Sequence, residues 1–275
     1  MHKIKAFFKK NKLKLILSLG TSFLVLAVVF TCVFFYHESF DDEILGAPYE
    51  HKEFILPEAP TLPPQSLPAV AGRIVAEIQG QKTVYLTFDD GPSPITEQIL
   101  EILKNENVPA TFFVLGKNAE EFPDLTKKIA SEGHIIANHS YSHDYDALYK
   151  SDDETFLNEV LKTEEIILSL IGRNSYSKVF RFPGGSFEDY KWPKMDVLIE
   201  NDYAFIDWNC SNGDANAHDI PADILIKNVI ETAGKKNTAV VLMHDAARKT
   251  TTVSALSGII NYFRENGYVF SVIYR

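Results

Sequence analysis

The chain has 275 residues, of which 45% are hydrophobic and 23% are charged, and this composition excludes wholesale disorder. Its two cysteines, Cys32 and Cys210, are too few for a disulfide scaffold or a cysteine-rich zinc site. Residues 1–14 hold six lysines and no acidic residue, so the remaining chain carries 21 basic and 37 acidic side chains. A body this acidic argues against a nucleic-acid partner, because phosphate binding needs a basic surface.

The chain begins with a basic segment and continues with an apolar one. Residues 15–36 contain no charged side chain, and about 20 apolar residues suffice to cross a bilayer as a helix. The lysines of residues 1–14 favour a cytoplasmic position for the N-terminal side. We therefore predict a single-pass membrane anchor with the rest of the chain outside the cell. The alternative is a cleaved signal peptide and a secreted protein, although the apolar core of such peptides is usually ~7–15 residues long.

Residues 37–80 are predicted to form an extracellular linker with one short strand at Arg73–Ile78. Prolines recur between positions 48 and 68, and they favour an extended chain over a helix or a central strand. From residue 82 to 275, short apolar runs alternate with helical patterns, and this alternation predicts parallel β-α-β units. We predict an α/β fold, a distorted and incomplete β/α barrel, whose functional groups lie at the C-terminal ends of the strands.

The predicted strands of this domain are Val84–Phe88, Thr111–Leu115, His134–Ala137, Val179–Phe182, Ala204–Trp208, Ala239–Met243 and Tyr268–Ile273. The predicted helices are Thr96–Asn105, Phe122–Ser131, Asp153–Ile171, Lys194–Asn201, Ala222–Thr232 and Ser254–Asn266.

Two pairs of polar residues follow the first and third of these strands. Asp89 and Asp90 close an apolar run, and because successive strand side chains point in opposite directions, one can hold a metal while the other faces a substrate. His139 and His143 are four residues apart, so on a helical turn both imidazoles would lie on one face. Two histidines and one carboxylate leave a position open for water, as in catalytic zinc sites. Turn-forming aspartates and an unrelated histidine pair are the alternative interpretation.

Three later strands also end in polar residues. Arg181 follows the fourth strand and can pair with a carboxylate, and Gly184 and Gly185 after it allow backbone N–H groups to approach an oxyanion. Asp214 comes after the fifth strand, and His244 ends the sixth, where a histidine is a candidate general acid. A glycine turn, a surface arginine and a core histidine would explain each feature alone. Their occurrence in order at five strand ends favours one site.

Taken in order, these motifs resemble those of the polysaccharide deacetylases of carbohydrate esterase family 4, the NodB-homology domain. The resemblance covers residues 82–275 and rests on TFDDGP at 87–92, HSYSH at 139–143, RFPG at 181–184, the stretch 207–214 and LMH at 242–244. It implies a distorted β/α barrel and a divalent metal, usually zinc, with cobalt as an alternative. It also implies hydrolysis of N-acetyl groups on amino sugars or, less often, of O-acetyl groups on sugars.

The resemblance implies a role for each residue at the strand ends. The implied metal ligands are Asp90, His139 and His143. The implied catalytic residues are Asp89 as general base, His244 as general acid, Arg181 as the partner of Asp89, and Asp214 as the residue that orients His244. The residues expected to contact the substrate are Gly184, Gly185 and Leu242, of which Leu242 would line a pocket for the acetyl methyl group.

Two departures from the family pattern concern the substrate groove and the general acid. The two glycines after Pro183 stand where the family often has an aromatic residue, and this predicts a lower groove wall. Asp214 is followed by alanine where the family often has tryptophan, whereas an Asp-Trp pair begins upstream at Asp207. Asp207 is therefore an alternative partner for His244.

The anchor and the linker favour a substrate in the cell wall, and N-acetylglucosamine of peptidoglycan is the first expectation. An exopolysaccharide or chito-oligosaccharide deacetylase and a sugar O-acetyl esterase are alternatives within the enzyme class. A catalytically inactive wall-binding module is the alternative from another class. The presence of both a candidate base and a candidate acid argues against it, because binding alone needs neither.

Overall fold

The computed structural model of the protein describes residues 69–70, 73–74 and 81–275. The predicted basic segment, the membrane anchor and most of the linker lie outside the described residues. Within these residues, no helix has both the length and the apolar character that a membrane crossing requires.

Strands and helices alternate from residue 83 onward, as the sequence pattern predicts. The strands are β1 (Ala69–Val70), β2 (Arg73–Ile74), β3 (Thr83–Asp89), β4 (Thr111–Val114), β5 (Ile135–Asn138), β6 (Tyr176–Phe180), β7 (Ala204–Phe205), β8 (Cys210–Ser211), β9 (Thr238–His244) and β10 (Val269–Ser271). The helices are α1 (Thr96–Glu106), α2 (Gly116–Glu121), α3 (Pro123–Ser131), α4 (Tyr145–Tyr149), α5 (Asp153–Ile171), α6 (Trp192–Glu200), α7 (Ala222–Ala233) and α8 (Thr250–Glu265). Single 3-10 turns occur at Asp189–Lys191 and Asp214–Asn216.

All these strands belong to one sheet in the order β1-β2-β7-β6-β5-β4-β3-β9-β8, with β10 beside the first half of β3. The strand pairs are parallel, except that β1 and β2 are antiparallel. In the described part of the chain, β1 and β8 are the two ends of the sheet and do not pair with each other. The predicted fold class, an α/β fold with an incomplete barrel of parallel strands, is therefore confirmed.

Side chains of β3 alternate between two cores, as the pleat of a strand requires. Val84, Leu86 and Phe88 pack in the core between the sheet and the helices. Tyr85 belongs to a second core, which gathers side chains from strands on both sides of β3 and includes Phe113, Ala137, Val179, Ala204, Ile206, Val240 and Ile273. Because strands that are not neighbours share this second core, the sheet curves around it. Asp89, the last residue of β3, lies on the same face of the strand as Tyr85, at the C-terminal end of this second core.

The sequence predicted helix α5 with both of its boundaries. Asp152 precedes it, and its carboxylate accepts the Thr155 N–H at 2.8 Å, while Gly172 ends it with a φ of 68°. The predicted strand Ala204–Trp208 is wrong in its second half, because the chain leaves the sheet after β7 and returns as β8 on the other side of β9. The short helices α2 and α4 were not predicted, since each is too short to show a periodic pattern.

Candidate active site

Asp89 and His244 end two neighbouring strands and are register partners. Strand β3 pairs with β9 along its whole length, and the last pair of that ladder is Asp89 with His244. Asp89 is buried, whereas the next residue, Asp90, has a φ of 71°. Short polar side chains tolerate this left-handed conformation better than most, and both carboxylates lie near His139 Nε2, Asp89 Oδ2 at 3.8 Å and Asp90 Oδ1 at 3.4 Å. The two adjacent carboxylates have different main contacts, Asp89 with Arg181 and Asp90 with the two histidines.

Arg181 is fully buried and holds Asp89 from the end of β6. Its Nη1 donates to Asp89 Oδ1 at 2.8 Å and to the Thr87 hydroxyl at 2.7 Å. Other guanidinium N–H groups donate to the carbonyls of Ile206 and Asp207 at 3.3 and 3.4 Å. A buried charge is tolerated when it is paired and hydrogen-bonded in this way. The predicted pairing of Arg181 with Asp89 is present in the structure.

The loop between His139 and His143 is not the helical turn that the spacing suggests. Ser140 and His143 have φ values of 74° and 60°, so the chain reverses through left-handed conformations. Side chains hold these conformations: Asn138 Oδ1 accepts the Ser140 N–H at 2.9 Å, and the Ser140 hydroxyl oxygen accepts the His143 N–H at 3.1 Å. The two imidazoles still converge, with ring centres 5.3 Å apart. The prediction of convergence holds, but its helical explanation is wrong.

Glu159 of helix α5 fixes the middle of this loop. Its Oε2 accepts the N–H groups of Tyr141 at 3.2 Å and Ser142 at 2.7 Å, and also the Ser142 hydroxyl at 2.8 Å. A charged acceptor that receives three donors gives strong hydrogen bonds. The sequence analysis missed Glu159, because nothing in the helical pattern distinguishes it from the solvated acidic residues around it.

Asp90, His139 and His143 direct one ligand atom each toward a common point, and these atoms lie within 4.8 Å of one another. The Nε2 atoms of both histidines are 3.4 Å from Asp90 Oδ1. Asp90 Oδ1 is buried and accepts no hydrogen bond from the described residues. His139 Nδ1 lies 2.8 Å from the Arg181 carbonyl oxygen, so Nδ1 carries the proton and the Nε2 lone pair faces Asp90. A lone pair facing an unpaired carboxylate oxygen is the arrangement that a cation stabilises, and the residues therefore fit a divalent metal.

The protonation of these ligands also suits a metal. Burial raises the pKa of Asp90, but the neighbouring His139, with smaller contributions from His244 and His143, outweighs burial and holds this pKa well below its ordinary value. Burial and the neighbouring His139 lower the pKa of His143. Near neutral pH, Asp90 is therefore a carboxylate and His143 is neutral, which are the forms that bind metals.

Asp214, not Asp207, is the partner of His244. Its Oδ1 lies 2.7 Å from His244 Nδ1, and its Oδ2 accepts the His244 backbone N–H at 2.9 Å and the Thr252 hydroxyl at 2.7 Å. Burial lowers the pKa of His244, but the hydrogen bond and charge of Asp214, with the charges of Asp89 and Asp90, raise it to about 9. His244 is therefore protonated near neutral pH and able to donate a proton.

Asp207 belongs to a different contact. Its carboxylate accepts the Ser186 backbone N–H at 2.9 Å and the Ser186 hydroxyl at 2.5 Å. The break between β7 and β8 separates the two aspartates, because β8 adds to β9 and carries Asp214 to His244. The alternative that Asp207 partners His244 is thereby excluded.

The remaining predicted residues are Gly184, Gly185 and Leu242. Gly184 and Gly185 have φ values of 75° and 79°, which glycine adopts without strain. A side chain at either position would collide with the Tyr145 hydroxyl or the Phe187 ring, respectively. The Tyr145 and Phe187 side chains therefore occupy the space beside the two glycines, and the lower groove wall stays a prediction. Leu242, buried on β9, lines an open cleft that has Trp208 on another side.

Comparisons with known proteins agree with this geometry. The family model described as polysaccharide deacetylase matches residues 76–198. A peptidoglycan N-acetylglucosamine deacetylase of Bacillus cereus is 34% identical over 194 residues, which are 69% of this chain and 68% of that protein.

Two solved structures share the fold. A CE4 esterase of Streptococcus mutans has a TM-score of 0.65 and 32% identity and covers 70% of this chain and 86% of its own. The catalytic domain of a peptidoglycan N-acetylglucosamine deacetylase of Eubacterium rectale has a TM-score of 0.63 and 34% identity over 72% of this chain and 90% of its own.

Proposed function

This chain belongs to the polysaccharide deacetylase family, and on this premise we propose that it is a metal-dependent hydrolase that removes N-acetyl groups from the N-acetylglucosamine of peptidoglycan. The observation that carries the proposal is the convergence of Asp89, the Asp90–His139–His143 cluster and His244 at one mouth of the sheet. A hydrolase of amides needs a base for water, a stabiliser for the oxyanion and an acid for the leaving amine. The site contains a candidate for each.

Asp90, His139 and His143 would hold the metal. Their donor set of two imidazoles and one carboxylate suits zinc, and cobalt binds similar ligands. When bound, the metal supplies Lewis acidity, which polarises a carbonyl group and lowers the pKa of water. The side chains of Asp90 and His143 are 26% and 31% exposed, so the cluster is open on one side to water and substrate.

Asp89 acts as the general base. Its Oδ1 is fixed by Arg181 at 2.8 Å, and its Oδ2 lies 3.8 Å from His139 Nε2, toward the metal cluster. As water attacks the acetyl carbonyl carbon, Asp89 accepts one of its protons and a new C–O bond forms. Arg181 keeps Asp89 oriented for this transfer, because its Nη1 donates to Asp89 Oδ1 and leaves Oδ2 free of that contact.

His244 acts as the general acid. The attack leaves negative charge on the former carbonyl oxygen, and the backbone N–H of Gly184 donates to it. Cleavage of the C–N bond expels an amine, a poor leaving group unless it is protonated, and the protonated His244 supplies that proton. The products are acetate and a sugar with a free amino group. Asp214 holds His244 in place and stabilises its protonated form.

We further propose that residues 15–36 anchor the protein in the cell membrane with the catalytic domain outside, or that they are cleaved and the protein is secreted. Both topologies bring the domain to the cell wall, where peptidoglycan is the acetylated polymer within reach.

The experiment that tests the proposal measures acetate release by the purified full-length protein. Peptidoglycan, chitin oligomers and acetyl-xylan are compared, each with and without a chelator, and Asp89→Asn is the matched inactive control. Muropeptides from treated peptidoglycan are then analysed by mass spectrometry, and the expected result is the replacement of acetyl by hydrogen on N-acetylglucosamine. Release from chitin oligomers or acetyl-xylan alone would overturn the peptidoglycan assignment, and no release from any substrate would favour a binding module.

A further inference from the structure

A buried lysine lies beneath the two-glycine turn, and none of the reaction steps proposed above uses it. The side chain of Lys191 is only 1% exposed. Its Nζ donates to the carbonyl oxygens of Pro183 at 3.1 Å and Gly185 at 2.7 Å, and it lies 3.0 Å from the Glu188 carboxylate. An ammonium group is buried only where hydrogen bonds and charge replace its water. Here the backbone of the turn supplies two of the three partners.

The turn itself is a type II β-turn. Pro183 occupies its second position and Gly184, with a φ of 75°, its third, where this turn requires a positive φ. The Gly185 N–H closes the turn on the Phe182 carbonyl oxygen at 2.7 Å. The orientation of the peptide between Pro183 and Gly184 is what distinguishes a type II turn from a type I turn.

Two side chains hold that peptide from one side. The Pro183 carbonyl oxygen accepts both Lys191 Nζ and the Tyr149 hydroxyl, the latter at 2.7 Å. In a planar trans peptide the carbonyl and the N–H point in opposite directions. The Gly184 N–H therefore points away from Lys191 and Tyr149. Among the described residues it donates to no backbone carbonyl.

The Gly185 carbonyl, which Lys191 also binds, shows which part of the site lies on the side of the turn opposite Lys191. The Gly185 carbonyl oxygen accepts Lys191 Nζ, and the Ser186 N–H of the same peptide donates in the opposite direction to Asp207 Oδ1 at 2.9 Å. The backbone carbonyl of Asp207 in turn receives the guanidinium of Arg181 at 3.4 Å. The side opposite Lys191 is therefore the side of Arg181, which holds the catalytic base.

We propose that Lys191, together with Tyr149, is a positioning residue that directs the Gly184 N–H at the oxyanion formed from the acetyl carbonyl. Lys191 does not touch the substrate. It fixes the peptide plane from behind, and Tyr149 fixes the same carbonyl from the side. This inference rests on the proposed deacetylase function, and it adds to that function two residues without an assigned role.

The test compares Lys191→Met with Lys194→Met in the full-length protein. Lys194 is a matched control, because its side chain is also buried and its Nζ binds a backbone carbonyl, that of Ser151 at 3.0 Å, and a carboxylate, that of Asp153 at 2.6 Å. Acetate release from peptidoglycan or chitin oligomers gives kcat and KM. For Lys191→Met we expect kcat to fall about ten- to a hundredfold with an unchanged KM, because a misplaced donor weakens stabilisation of the transition state only. Lys194→Met should keep the wild-type kcat.

A second variant keeps the proposal testable if Lys191→Met does not fold. Tyr149→Phe retains the aromatic ring and removes only the hydroxyl that binds Pro183. It should lower kcat by several-fold, again at constant KM and constant metal affinity. In the double variant the two losses should not multiply, because both side chains act on one peptide group. Loss of stability alone would leave kcat per metal-binding site unchanged.

The outcomes separate this inference from the proposed function. If the wild-type protein binds zinc but releases no acetate from any substrate, the proposed function fails. If the wild-type protein is active and both Tyr149→Phe and any folded Lys191→Met protein retain its kcat per metal-binding site, the positioning role is overturned. Two losses that multiply in the double variant would also contradict a shared target.

Discussion

Replacement of Asp214 by asparagine should move the basic limb of the activity profile to lower pH. Asp214 Oδ2 accepts two donors, the His244 backbone N–H and the Thr252 hydroxyl, while Oδ1 faces His244 Nδ1 at 2.7 Å. An asparagine therefore places its amide oxygen toward the two donors and its NH2 group toward Nδ1. Because NH2 is a donor, Nδ1 must then be unprotonated, and the neutral imidazole is favoured.

The magnitude follows from the pKa of His244. Asp214, with the charges of Asp89 and Asp90, raises this pKa to about 9 against the opposing effect of burial. Without the carboxylate we expect a pKa no higher than the ordinary value of about 6.5. At pH 8 the protonated fraction of His244 would then fall from about 90% to about 3%, a loss of activity of about 30-fold. Near pH 6 both proteins are largely protonated, and the loss should nearly disappear.

The same pair links stability to pH. Because the pKa of His244 is higher in the folded protein than in the unfolded chain, its stabilisation is complete below pH 6.5 and is lost as the pH rises through about 9. This rise in the pKa of His244 corresponds to a contribution on the order of 3 kcal/mol to the free energy of unfolding. The difference in Tm between wild type and Asp214→Asn should therefore be largest near pH 6 and smallest above pH 9.

The assay is acetate release between pH 5 and pH 10, with Thr252→Val as the control. That variant removes one donor to Asp214 but leaves its carboxylate beside His244, so its basic limb should stay near that of the wild type. If Asp214→Asn kept the wild-type limb, His244 could not be the acid that titrates there. If Asp214→Asn lost the same fraction of its activity at every pH, Asp214 would orient His244 without changing its pKa.

Chelation should abolish acetate release and added Zn²⁺ or Co²⁺ should restore it, whereas full activity in excess chelator would exclude a metal role. Asp89→Asn should lower kcat by about 10²–10⁴-fold and retain metal in calorimetric titration, whereas His139→Ala should lose metal binding. Arg181→Met should lower the free energy of unfolding by about 3–5 kcal/mol in urea titrations, because Asp89 loses its buried partner; a neutral effect would contradict the pairing. Glu159→Gln should weaken metal affinity by about 10–100-fold, because its carboxylate holds the ligand loop; an unchanged affinity would assign Glu159 to stability only.

The sequence predicted the strands, the edge of the sheet where the chemistry lies, and the residues that meet there. This was possible because parallel strands bring their C-terminal ends to one edge, so that Asp89 and His244 needed only adjacent strands to become neighbours. The apolar runs of β3 and β9 are long enough to reveal those strands. The break after β7 was not predictable, because Ile206, Asp207 and Trp208 alternate apolar and polar as a half-buried strand does. The return of the chain beside β9 is what removes this segment from the strand.

The loop that carries His139 and His143 was beyond sequence reasoning for a different reason. Its left-handed residues are a serine and a histidine; histidine is only modestly enriched in that conformation, which is too weak a preference to predict it. The Asn138 and Ser140 side chains hold these two residues, a carboxylate from helix α5 holds the residues between them, and Lys191 likewise holds the glycine turn from a 3-10 turn. Hydrogen bonds of this kind join a side chain to a backbone that lies elsewhere in the fold, and they leave no periodic pattern in the sequence.

Arg181 joins the proposed catalytic base to the candidate metal cluster through two different parts of one residue. Its guanidinium binds Asp89, and its backbone carbonyl oxygen lies 2.8 Å from His139 Nδ1. The Arg181 N–H is fixed in turn by the Asn138 carbonyl oxygen at 3.0 Å, in the chain segment that leads into the ligand loop. A change in the Arg181 side chain should therefore disturb the base while the carbonyl still orients His139. A folded Arg181 variant that binds metal but turns over slowly would separate the two halves of the site, whereas a variant that loses metal as well would show that the guanidinium also sets the position of the backbone.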